Sequence, residues 1–393
     1  MKIGISAGLI PPPVFIENLL NKLASQKYRI YIYGNLSDNR FKFKNINIVP
    51  RVRPTTKLGI CMYSFFLHFQ LLFRMPKLFF TLINKINLRS KNIKNYIIRS
   101  TKVIPPFLDN LNIFHVQWAK TIVEFPEFLE LMPCHIILSL RGAHINYSPL
   151  VNQELSEGYK QYFPKISAFH AVSNAIAEEA LKYNCSLDKI TVIKPAVDKN
   201  LINFSSKNIS INKKINIISV GRSHWKKGYT TALDTMSLLN KEKVDFQYTI
   251  IANGVDRENI NYQINALGLN EKVMFINGLS HNKVIKQISQ SDLFILSSYE
   301  EGISNAVLES MLLGIPVIST DCGGMKEVIT NNINGFLVPV RDPLAIAKIV
   351  QKFLNLDQSE LKKIKNNAID TILNNHLLDS QIDSFKSLYE SIS

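Results

Sequence analysis

The stretch LFILSSYEEGISNAVLESMLLGIPVIST, Leu293–Thr320, contains a complete strand–helix–strand unit. It opens with a short apolar run of strand length, turns at Tyr299–Gly302 and continues into a helix with an apolar face. Gly314 and Pro316 end that helix and begin the next strand. Strands that alternate with helices at this spacing predict a parallel sheet with helices on both faces.

The same alternation runs through the chain and restarts near residue 214, after the polar stretch KNLINFSSKNISINKK. We therefore predict an α/β protein of two doubly wound, Rossmann-like domains facing a cleft, residues 1–205 and 206–375. The strand-like runs are KIGISAG, YRIYIYG, NIFHVQ, HIILSLRG, AFHAVS and KITVIK in the first half, and INIISVG, FQYTIIANG, KVMFING, LFILSS and IPVIST in the second.

Composition favours a folded protein of a reducing compartment. The chain has 393 residues, 46% hydrophobic and 20% charged, which is typical of a globular protein with two domains. Its four cysteines lie far apart without a CxxC pair, which argues against a zinc site or a disulfide framework. The first apolar run is too short for a signal peptide, and we expect it to form the first strand.

Positive charge is concentrated in the first half. Residues 1–200 hold 26 Lys+Arg against 12 Asp+Glu, whereas residues 201–393 hold 20 against 19. From Arg51 to Lys102 there are 11 basic residues and no acid. Nucleic acid and an anionic membrane surface are the two candidate partners, and a solvated lysine-rich surface is the alternative explanation.

Residues 58–82, LGICMYSFFLHFQLLFRMPKLFFTL, interrupt the alternation. The run before Arg74 is almost wholly apolar and aromatic, yet it is short for a transmembrane span. Basic residues on both flanks suit a helix lying in the membrane interface, where anionic lipid attracts them. A helical hairpin that packs on its own domain explains the pattern equally well.

Two short motifs carry the chemistry. SVGRSHWKKGY places Arg222 and Lys227, or Lys226 instead, in a loop between a strand and a helix, where cations suit a diphosphate. Glu301 lies in the turn after a strand, and Glu309 lies eight residues later on the helix. Carboxylates accept hydrogen bonds from vicinal hydroxyls, so these two can hold two sugar rings. The alternative is that all these charges are solvated.

Together the motifs resemble the C-terminal domain of the retaining glycosyltransferases of family 4, the bacterial glycosyl transferases group 1, which have the GT-B fold. EGISNAVLESM looks like that family's E-x7-E motif, and GRSHWKKG looks like its G-R-x4-K-G loop. The resemblance extends to AVSNAIAEEALKYNCSLDKITVIKPAVD and GGMKEVITNNINGFLVP and covers nearly all of residues 165–345.

The resemblance implies that a nucleotide-sugar binds the C-terminal domain and that its sugar is transferred with retention. Arg222 and Lys227 would stabilise the departing diphosphate, Glu301 would bind the donor sugar and Glu309 the ribose. No metal or other cofactor is expected, because these cations neutralise the diphosphate and no carboxylate pair is spaced for Mg²⁺. The expected donor-binding residues are Gly221, Arg222, Lys227, Asn253, Gly254, Asn277, Leu279, Glu301, Gly302, Ile303, Ser304, Asn305 and Glu309.

The N-terminal half departs from the family pattern. The first loop, SAGLIPPPVF, has only Gly8 where the family often has two glycines, and its prolines lack an amide proton. In LSLRGAHIN, Arg141 stands where the family often has a histidine, and His144 follows three residues later. Both are candidate catalytic residues, Arg141 for an anionic sugar or phosphate and His144 for the donor; a structural role is an equal alternative.

We therefore expect a glycosyltransferase of the hexosyltransferase type that uses a UDP- or GDP-sugar. Its acceptor would be a saccharide, lipid-linked, in the synthesis of capsule, O-antigen or exopolysaccharide. The basic and aromatic insertion, about residues 51–102, would dock the enzyme on the cytoplasmic face of the cell membrane. By analogy with GT-B enzymes, a helix over about 376–393 would pack back on the first domain.

Other classes explain parts of the pattern. A nucleotide-sugar epimerase on the same fold would release nucleotide without an acceptor. A nucleic-acid-binding protein would explain the charge, but the aromatic residues cluster in one apolar run instead of forming stacking platforms, so we expect no nucleic acid partner. A dehydrogenase is disfavoured because no G-x-G-x-x-G follows a strand with an acid at the right distance.

Overall fold

The computed structural model describes residues 1–26, 28–38, 41, 43–204, 214–254 and 257–392. These form two compact units: the first comprises Met1–Val172, Ile176–Ile193 and Ile382–Ser393, and the second comprises Ser173–Ala175 and Lys194–Gln381. The chain therefore passes into the second unit at Lys194, before the expected boundary at 205–206, which lies outside the described residues. Residues from Ile382 onwards belong to the first unit.

The first unit is built on a parallel sheet with the spatial order β3-β2-β1-β4-β5-β6-β7. Its described strands are β1 (Lys2–Ile10), β2 (Arg29–Leu36), β3 (Ile48–Arg53), β4 (Ile113–Val116), β5 (His135–Leu140), β6 (Ala168–Ala171) and β7 (Ile190–Val192). The strand order reverses between β1 and β4, the place where doubly wound sheets bind ligands at the carboxyl ends of their strands.

The helices that follow these strands are α1 (Val14–Ser25), α2 (Lys57–Arg74), α3 (Pro76–Leu88), α4 (Ile93–Leu108), α5 (Lys120–Glu124), α6 (Glu127–Leu131), α7 (Ala143–Asn146), α8 (Ser148–Val151), α9 (Gln153–Tyr162) and α10 (Asn174–Leu181). A large apolar core lies between the sheet and these helices, with fully buried side chains such as Phe114, Tyr159 and Phe169.

The second unit has a parallel sheet with the order β10-β9-β8-β11-β12-β13. Its described strands are β8 (Ile215–Ser223), β9 (Phe246–Gly254), β10 (Val273–Asn277), β11 (Leu293–Leu296), β12 (Val317–Thr320) and β13 (Phe336–Val338). The later helices are α11 (Tyr229–Lys241), α12 (Arg257–Ala266), α13 (His281–Ser289), α14 (Asn305–Leu312), α15 (Pro343–Leu354), α16 (Gln358–Asn375) and α17 (Leu378–Glu390). Every residue of β11 and β12 is buried, as expected for a parallel sheet covered on both faces.

The basic segment 51–102, which we expected to be one insertion, divides into three parts. Arg51–Arg53 complete strand β3, whose Pro50 is tolerated because β3 lies at the edge of the sheet. Helices α2 and α3 follow, and both bury apolar residues in the core of the first unit. Helix α4 carries the segment back under the sheet, where Val103 and Ile104 are fully buried. Only the middle part departs from the strand–helix alternation.

Helix α2 has two unlike faces. Leu67 and Leu71 are buried against the core of the first unit, so the hairpin does pack on its own domain. The opposite face exposes its large apolar side chains: Leu58 72%, Met62 65%, Phe65 76%, Phe66 53%, Phe69 54% and Phe73 69%. We call these six residues the apolar face of α2. Within the described residues, no helix combines the length and the apolar character needed to cross a membrane.

The start of the chain also differs from our prediction. We expected a loop at SAGLIPPPVF, but strand β1 continues through Gly8 to Ile10 and pairs with β2 throughout. The pairing register shifts between Ser6 and Gly8, and Gly8 has the positive φ of +83°. The extra residue of this bulge lets the strand continue past the glycine, a feature that composition alone does not reveal.

Candidate active site

The loop between β8 and α11 brings the predicted cations to the carboxyl edge of the second sheet. Arg222 is the residue before last in strand β8 and pairs with Asn253 of β9. A short 3₁₀ turn at Trp225–Lys227 follows, and Gly228, with a φ of +62°, is the N-cap residue of helix α11. A Cβ atom on Gly228 would lie 2.0 Å from the Ser297 carbonyl oxygen, so only glycine lets this loop press against the end of β11.

Two hydrogen bonds join this loop to the turn after β11. The Tyr299 N–H donates to the Lys226 carbonyl at 2.7 Å, and the Ser297 hydroxyl donates to the Lys227 carbonyl at 3.0 Å. Because both bonds use the main chain of the cationic loop, the two motifs are held in one arrangement. This arrangement brings the side chain of Lys227 onto that of Glu301.

Glu301 is a buried carboxylate held in its ionised form. Its side chain accepts hydrogen bonds from the Lys227 ammonium and, at 2.8 Å, from the Ser298 hydroxyl. Burial by itself raises the pKa of Glu301, but the charges of Lys227 and Lys226 outweigh that effect and hold the pKa below its usual value. Burial lowers the pKa of Lys226, and the attraction of Glu301 opposes that shift.

The cationic cluster has more positive than negative charge. Of the two candidate lysines, Lys227 forms an ion pair with Glu301, while Lys226 is buried. Arg222 is exposed, and within the described chain no ion pair or hydrogen bond engages its guanidinium. Arg222 is close enough to Lys226 to lower the pKa of that lysine, so three cations and one carboxylate form a site that attracts an anion.

The turn that carries Glu301 is clamped by the loop after β12. The Gly324 N–H donates to the Gly302 carbonyl at 2.8 Å. Gly323 has a φ of +54°, and a Cβ atom there would lie 1.8 Å from the Glu301 carbonyl oxygen. This glycine pair was not among the residues that we predicted for the site, although its position directly after a buried strand was the available signal.

Helix α14 begins where we predicted. Ser304 is its N-cap residue and Asn305 its first residue, and the preceding Gly302 and Ile303 are buried. Among the described residues, the backbone N–H groups of Ser304, Asn305 and Ala306 have no backbone acceptor. This helix start is therefore available to a negatively charged group.

Glu309 lies on α14 and contacts a residue that we had not singled out. Its Oε1 atom is 2.8 Å from Nε2 of His281, the first residue of α13. The hydrogen bond to Glu309 raises the pKa of His281, although partial burial opposes the shift. In the sequence, His281 follows two of the expected donor-binding residues, Asn277 and Leu279, and that position was the only signal for it.

The remaining predicted donor residues lie at the ends of β8, β9 and β10. Gly221 is in β8, where a Cβ atom would lie 2.9 Å from the Tyr229 hydroxyl. Asn253 is exposed at the end of β9, and a Cβ on Gly278 would lie 2.1 Å from its Oδ1 atom. Three residues complete this edge: Gly254, exposed after Asn253; Asn277, exposed at the end of β10; and Leu279, half-buried against the core.

The three candidates in the first unit lie at the carboxyl ends of β1 and β5. The Arg141 guanidinium donates to the Gln117 side chain at 2.9 Å and lies 4.8 Å from the centre of the Phe15 ring. Burial lowers the pKa of Arg141 to about 10, so it remains charged at neutral pH. His144 packs edge-to-face on Trp118, with 5.6 Å between ring centres.

Trp118 also connects Gly8 to this group. Its indole N–H donates to the Ala7 carbonyl at 2.9 Å, and a Cβ atom on Gly8 would lie 3.5 Å from the indole nitrogen. Trp118 is therefore the residue that the sequence analysis missed at this end of the sheet. Among the described residues, no three His, Cys, Asp or Glu side chains lie close enough together to hold a metal ion.

Comparison with known proteins identifies the class. Residues 202–371 match the family model described as Glycosyl transferases group 1. The amylovoran biosynthesis glycosyltransferase AmsK of Erwinia amylovora is 24% identical over 315 residues, covering 75% of this chain and 76% of AmsK. The N,N'-diacetylbacillosaminyl-diphospho-undecaprenol alpha-1,3-N-acetylgalactosaminyltransferase of Campylobacter jejuni is 25% identical over 276 residues, covering 67% of this chain and 70% of that enzyme.

Among solved structures, Anabaena Alr3699/HepE in complex with UDP and glucose superposes with a TM-score of 0.73 at 15% identity, covering 100% of both chains. The fold, two parallel Rossmann-like sheets flanked by helices, is therefore GT-B. The chain is a glycosyltransferase, and its residues 202–371 are similar to the Glycosyl transferases group 1 family.

Proposed function

We propose that the chain transfers a sugar, with retention at the anomeric carbon, from a UDP- or GDP-sugar bound by the second unit. The observation that carries this proposal is the cluster in which Lys227 and the buried Lys226 keep Glu301 ionised beside the exposed Arg222. Such a cluster supplies a carboxylate that accepts hydrogen bonds from sugar hydroxyls, and positive charge that attracts a diphosphate. Assignment to family 4 rests on the E-x7-E and G-R-x4-K-G motifs.

In this proposal the protein stabilises the leaving diphosphate electrostatically. Arg222 and Lys227 contact its oxygens as negative charge develops there, and the N–H groups at the start of α14 add to the same field. Glu301 accepts hydrogen bonds from hydroxyls of the transferred sugar. Glu309, held by His281 at 2.8 Å, accepts hydrogen bonds from the ribose. These cations take the place of a metal ion, so we propose that transfer persists in EDTA.

For the acceptor we propose a lipid-linked saccharide of a bacterial surface polysaccharide. The names of two relatives support this: one acts in amylovoran biosynthesis, and the other is named for a diphospho-undecaprenol acceptor. The acceptor would bind the first unit, where Gly8, Arg141 and His144 lie at the carboxyl ends of the strands. We propose no nucleic acid partner.

The apolar face of α2 is the proposed membrane contact. Monomeric soluble proteins rarely expose such a contiguous patch of large apolar side chains, and four of the six here are phenylalanines. The segment from Arg51 to Lys102 contains 11 basic residues and no acid, so its charge is complementary to an anionic lipid surface. We propose peripheral attachment to the cytoplasmic face of the cell membrane, measurable as co-sedimentation with anionic vesicles.

The donor site is tested by nucleotide-dependent thermal stability. A ligand that binds only the folded state raises the melting temperature by mass action, so UDP, GDP, ADP and dTDP are compared at equal concentrations. We expect one of them to raise the melting temperature, with affinity reduced roughly 10- to 100-fold in Arg222→Ala and Glu309→Ala. Lys286→Ala, on the exposed surface of α13, is the control and should respond as the unsubstituted protein does.

The outcome against the proposal is equally definite. If folded protein responds to none of the four nucleotides, or if the two site variants respond as fully as Lys286→Ala, the donor site is misassigned. Retention needs a separate experiment. The anomeric configuration of the isolated product is determined from NMR coupling constants, and we expect it to match that of the donor.

A further inference from the structure

A second basic site lies wholly within the first unit. A cavity of about 150 Å³ is present where strands β1, β2 and β3 end and helix α4 passes. A water molecule in the liquid takes about 30 Å³, so this cavity has room for a group of several heavy atoms. Its polar lining includes Ser6, Arg51, Arg53, Lys102, Thr121 and Glu124, and Gly8 and Gly34 form part of the wall.

Arg53 is the unusual residue of this cavity. Its Nε and Nη1 atoms are closed to water and have no hydrogen-bond partner among the described residues. Burial also lowers the pKa of Arg53, since no carboxylate offsets the loss of hydration. Buried donors of this kind nearly always have an acceptor in folded proteins. The third nitrogen, Nη2, is not closed to water and also has no partner among the described residues, so the guanidinium at the cavity wall can reach an acceptor that a ligand brings.

Of the three basic residues that line the cavity, Arg53 is the one whose charge is not matched by a carboxylate among the described residues. Arg51 donates from Nε to Asp109 at 2.9 Å and forms a second bond to the same carboxylate, so its charge is matched. Lys102 is 3.3 Å from Glu124, and both side chains remain partly exposed. The cavity therefore has a net positive charge centred on Arg53. A guanidinium binds phosphate oxygens through strong, charge-assisted N–H bonds, which an arginine without an ion-pair partner can supply.

We propose that this cavity binds a phosphate or diphosphate group carried by the acceptor, with Arg53 as its main contact. The proposal rests on the proposed function, because it supplies the acceptor subsite of the same enzyme. Arg53 ends strand β3, and helix α2 begins four residues later at Lys57. A phosphate held by Arg53 would thus lie at the root of the helix that carries the apolar face. A lipid tail on that phosphate would follow α2.

The experiment measures binding of inorganic pyrophosphate to the full chain by isothermal titration calorimetry. All proteins carry Arg222→Gln, which weakens any binding of pyrophosphate to the donor site. We expect Arg53→Gln to bind about tenfold or more weakly, because a charge-assisted bond to phosphate is lost. Lys94→Gln, an exposed charge on α4, is the matched control and should stay within about twofold. Equal affinity of the Arg53→Gln and Lys94→Gln proteins would overturn the proposal.

A second variant keeps the test valid if Arg53→Gln folds poorly. Thr121→Val removes one hydroxyl from the cavity wall with little change in shape, and we expect it to weaken pyrophosphate binding several-fold. A folded Thr121→Val protein with unchanged affinity would count against the site. The nucleotide-dependent rise in melting temperature is measured on the Arg53→Gln protein with Arg222 intact. If that rise persists while pyrophosphate binding is insensitive to Arg53, the cavity assignment fails and the donor site stands.

Comparison with a second ligand tests whether the phosphate is carried by a lipid. Geranyl diphosphate is compared with pyrophosphate on the protein with and without the double substitution Phe65→Ser and Phe69→Ser. Tighter binding of geranyl diphosphate that disappears in the double variant supports a lipid-borne diphosphate. Equal binding of both ligands supports the same cavity for a phosphate that is free or attached to a sugar.

Discussion

Glu301 shows how a single residue depends on its neighbours for both its charge and its position. A buried carboxyl would ordinarily take up a proton more readily, yet Lys227 and Lys226 keep this one ionised. Its position depends on glycine as much as on charge. Gly323 approaches the Glu301 carbonyl so closely that any side chain there would displace the turn.

Replacement of Gly323 by alanine tests this dependence. Gly323 and Gly268 both have left-handed backbone, with φ of +54° and +65°, so alanine costs each about 1–2 kcal/mol. A Cβ atom on Gly268 meets nothing within 4 Å, whereas one on Gly323 meets the Glu301 carbonyl at 1.8 Å. We expect Gly323→Ala to lose a further 1–3 kcal/mol, roughly, and about tenfold in nucleotide affinity.

Urea unfolding and nucleotide titration measure both quantities. Gly268→Ala is the matched control, and its nucleotide affinity should be unchanged. If the two alanine variants behave alike, the turn moves freely and the contact at Gly323 does not position Glu301.

Helix α2 exposes more apolar surface than packing on its own domain requires. Leu67 and Leu71 attach it to the core, and this leaves the apolar face turned outward. A helix that is apolar on nearly all sides is normally buried or meets lipid. From the sequence, a membrane contact and a hairpin packed on its own domain were equally good explanations of this segment. In the structure one face of α2 packs on the first unit, and the apolar face remains exposed.

The apolar face predicts binding to anionic vesicles. We expect the double variant Phe65→Ser and Phe69→Ser to lose co-sedimentation, with stability changed by no more than about 0.5 kcal/mol because these side chains are already exposed. Lys57→Glu with Lys77→Glu should weaken binding most at low salt. Leu71→Ser is the contrasting change and should destabilise the first unit by roughly 2–5 kcal/mol.

Two results would count against the membrane contact. The first is co-sedimentation that is undiminished in the double phenylalanine variant. The second is a dimer of the unsubstituted protein, seen by analytical ultracentrifugation, that the same variant dissociates; a second copy would then cover the face. The charge reversals avoid two other basic residues of the segment. Arg51 forms an ion pair with Asp109, and Arg53 lines the cavity of the first unit.

At the scale of the whole molecule, the end of the chain completes the first unit. The Tyr389 hydroxyl is 2.8 Å from Nδ1 of His115, which is fully buried in β4. The Ser139 hydroxyl joins His115 to His170, with 2.8 Å to each ring. This chain of hydrogen bonds links β4, β5, β6 and the last helix, and both imidazoles are kept from water. Burial lowers the pKa of His115 to about 3 and that of His170 well below its usual value.

These histidines predict a loss of stability in mild acid. The folded unit holds them neutral, whereas the unfolded chain binds protons as the pH falls through about 6.5. Stability is therefore fully present above that pH and declines as the pH falls towards the folded pKa values. Each histidine contributes a loss of about 2 kcal/mol at pH 5. His281, whose pKa is raised by Glu309, acts in the opposite sense in the second unit, and its contribution is lost as the pH rises.

The two tryptophans allow the first unit to be observed separately. Trp118 lies in the first unit and Trp225 in the second, so Trp225→Phe leaves one reporter. Urea unfolding followed by Trp118 fluorescence at pH 7.5 and pH 5.0 should show a smaller pH dependence in His115→Gln. His135→Gln, at an exposed histidine, should retain the full dependence. Identical pH dependence in both variants would contradict the prediction.

Local patterns in the sequence determined most of the fold. Each strand-like run that we identified is a strand of one of the two parallel sheets, because the length and apolar character of such runs are set by neighbouring residues. The two strands that we missed, β3 and β13, are edge strands; one contains a proline and the other has three residues. The motifs likewise indicated Arg222, Lys227, Glu301 and Glu309, since their spacing is local.

Tertiary structure decided which of these residues contact one another. The sequence does not distinguish Lys226 from Lys227; only the contact across 74 positions between Lys227 and Glu301 does so. The bond from His281 to Glu309 and the clamp of Gly323 on Glu301 also join residues from different loops. Arg53 looked like one basic residue among many until the packing of β3 and α4 enclosed it beside a cavity. Such contacts depend on the register and packing of distant segments, which no local pattern encodes.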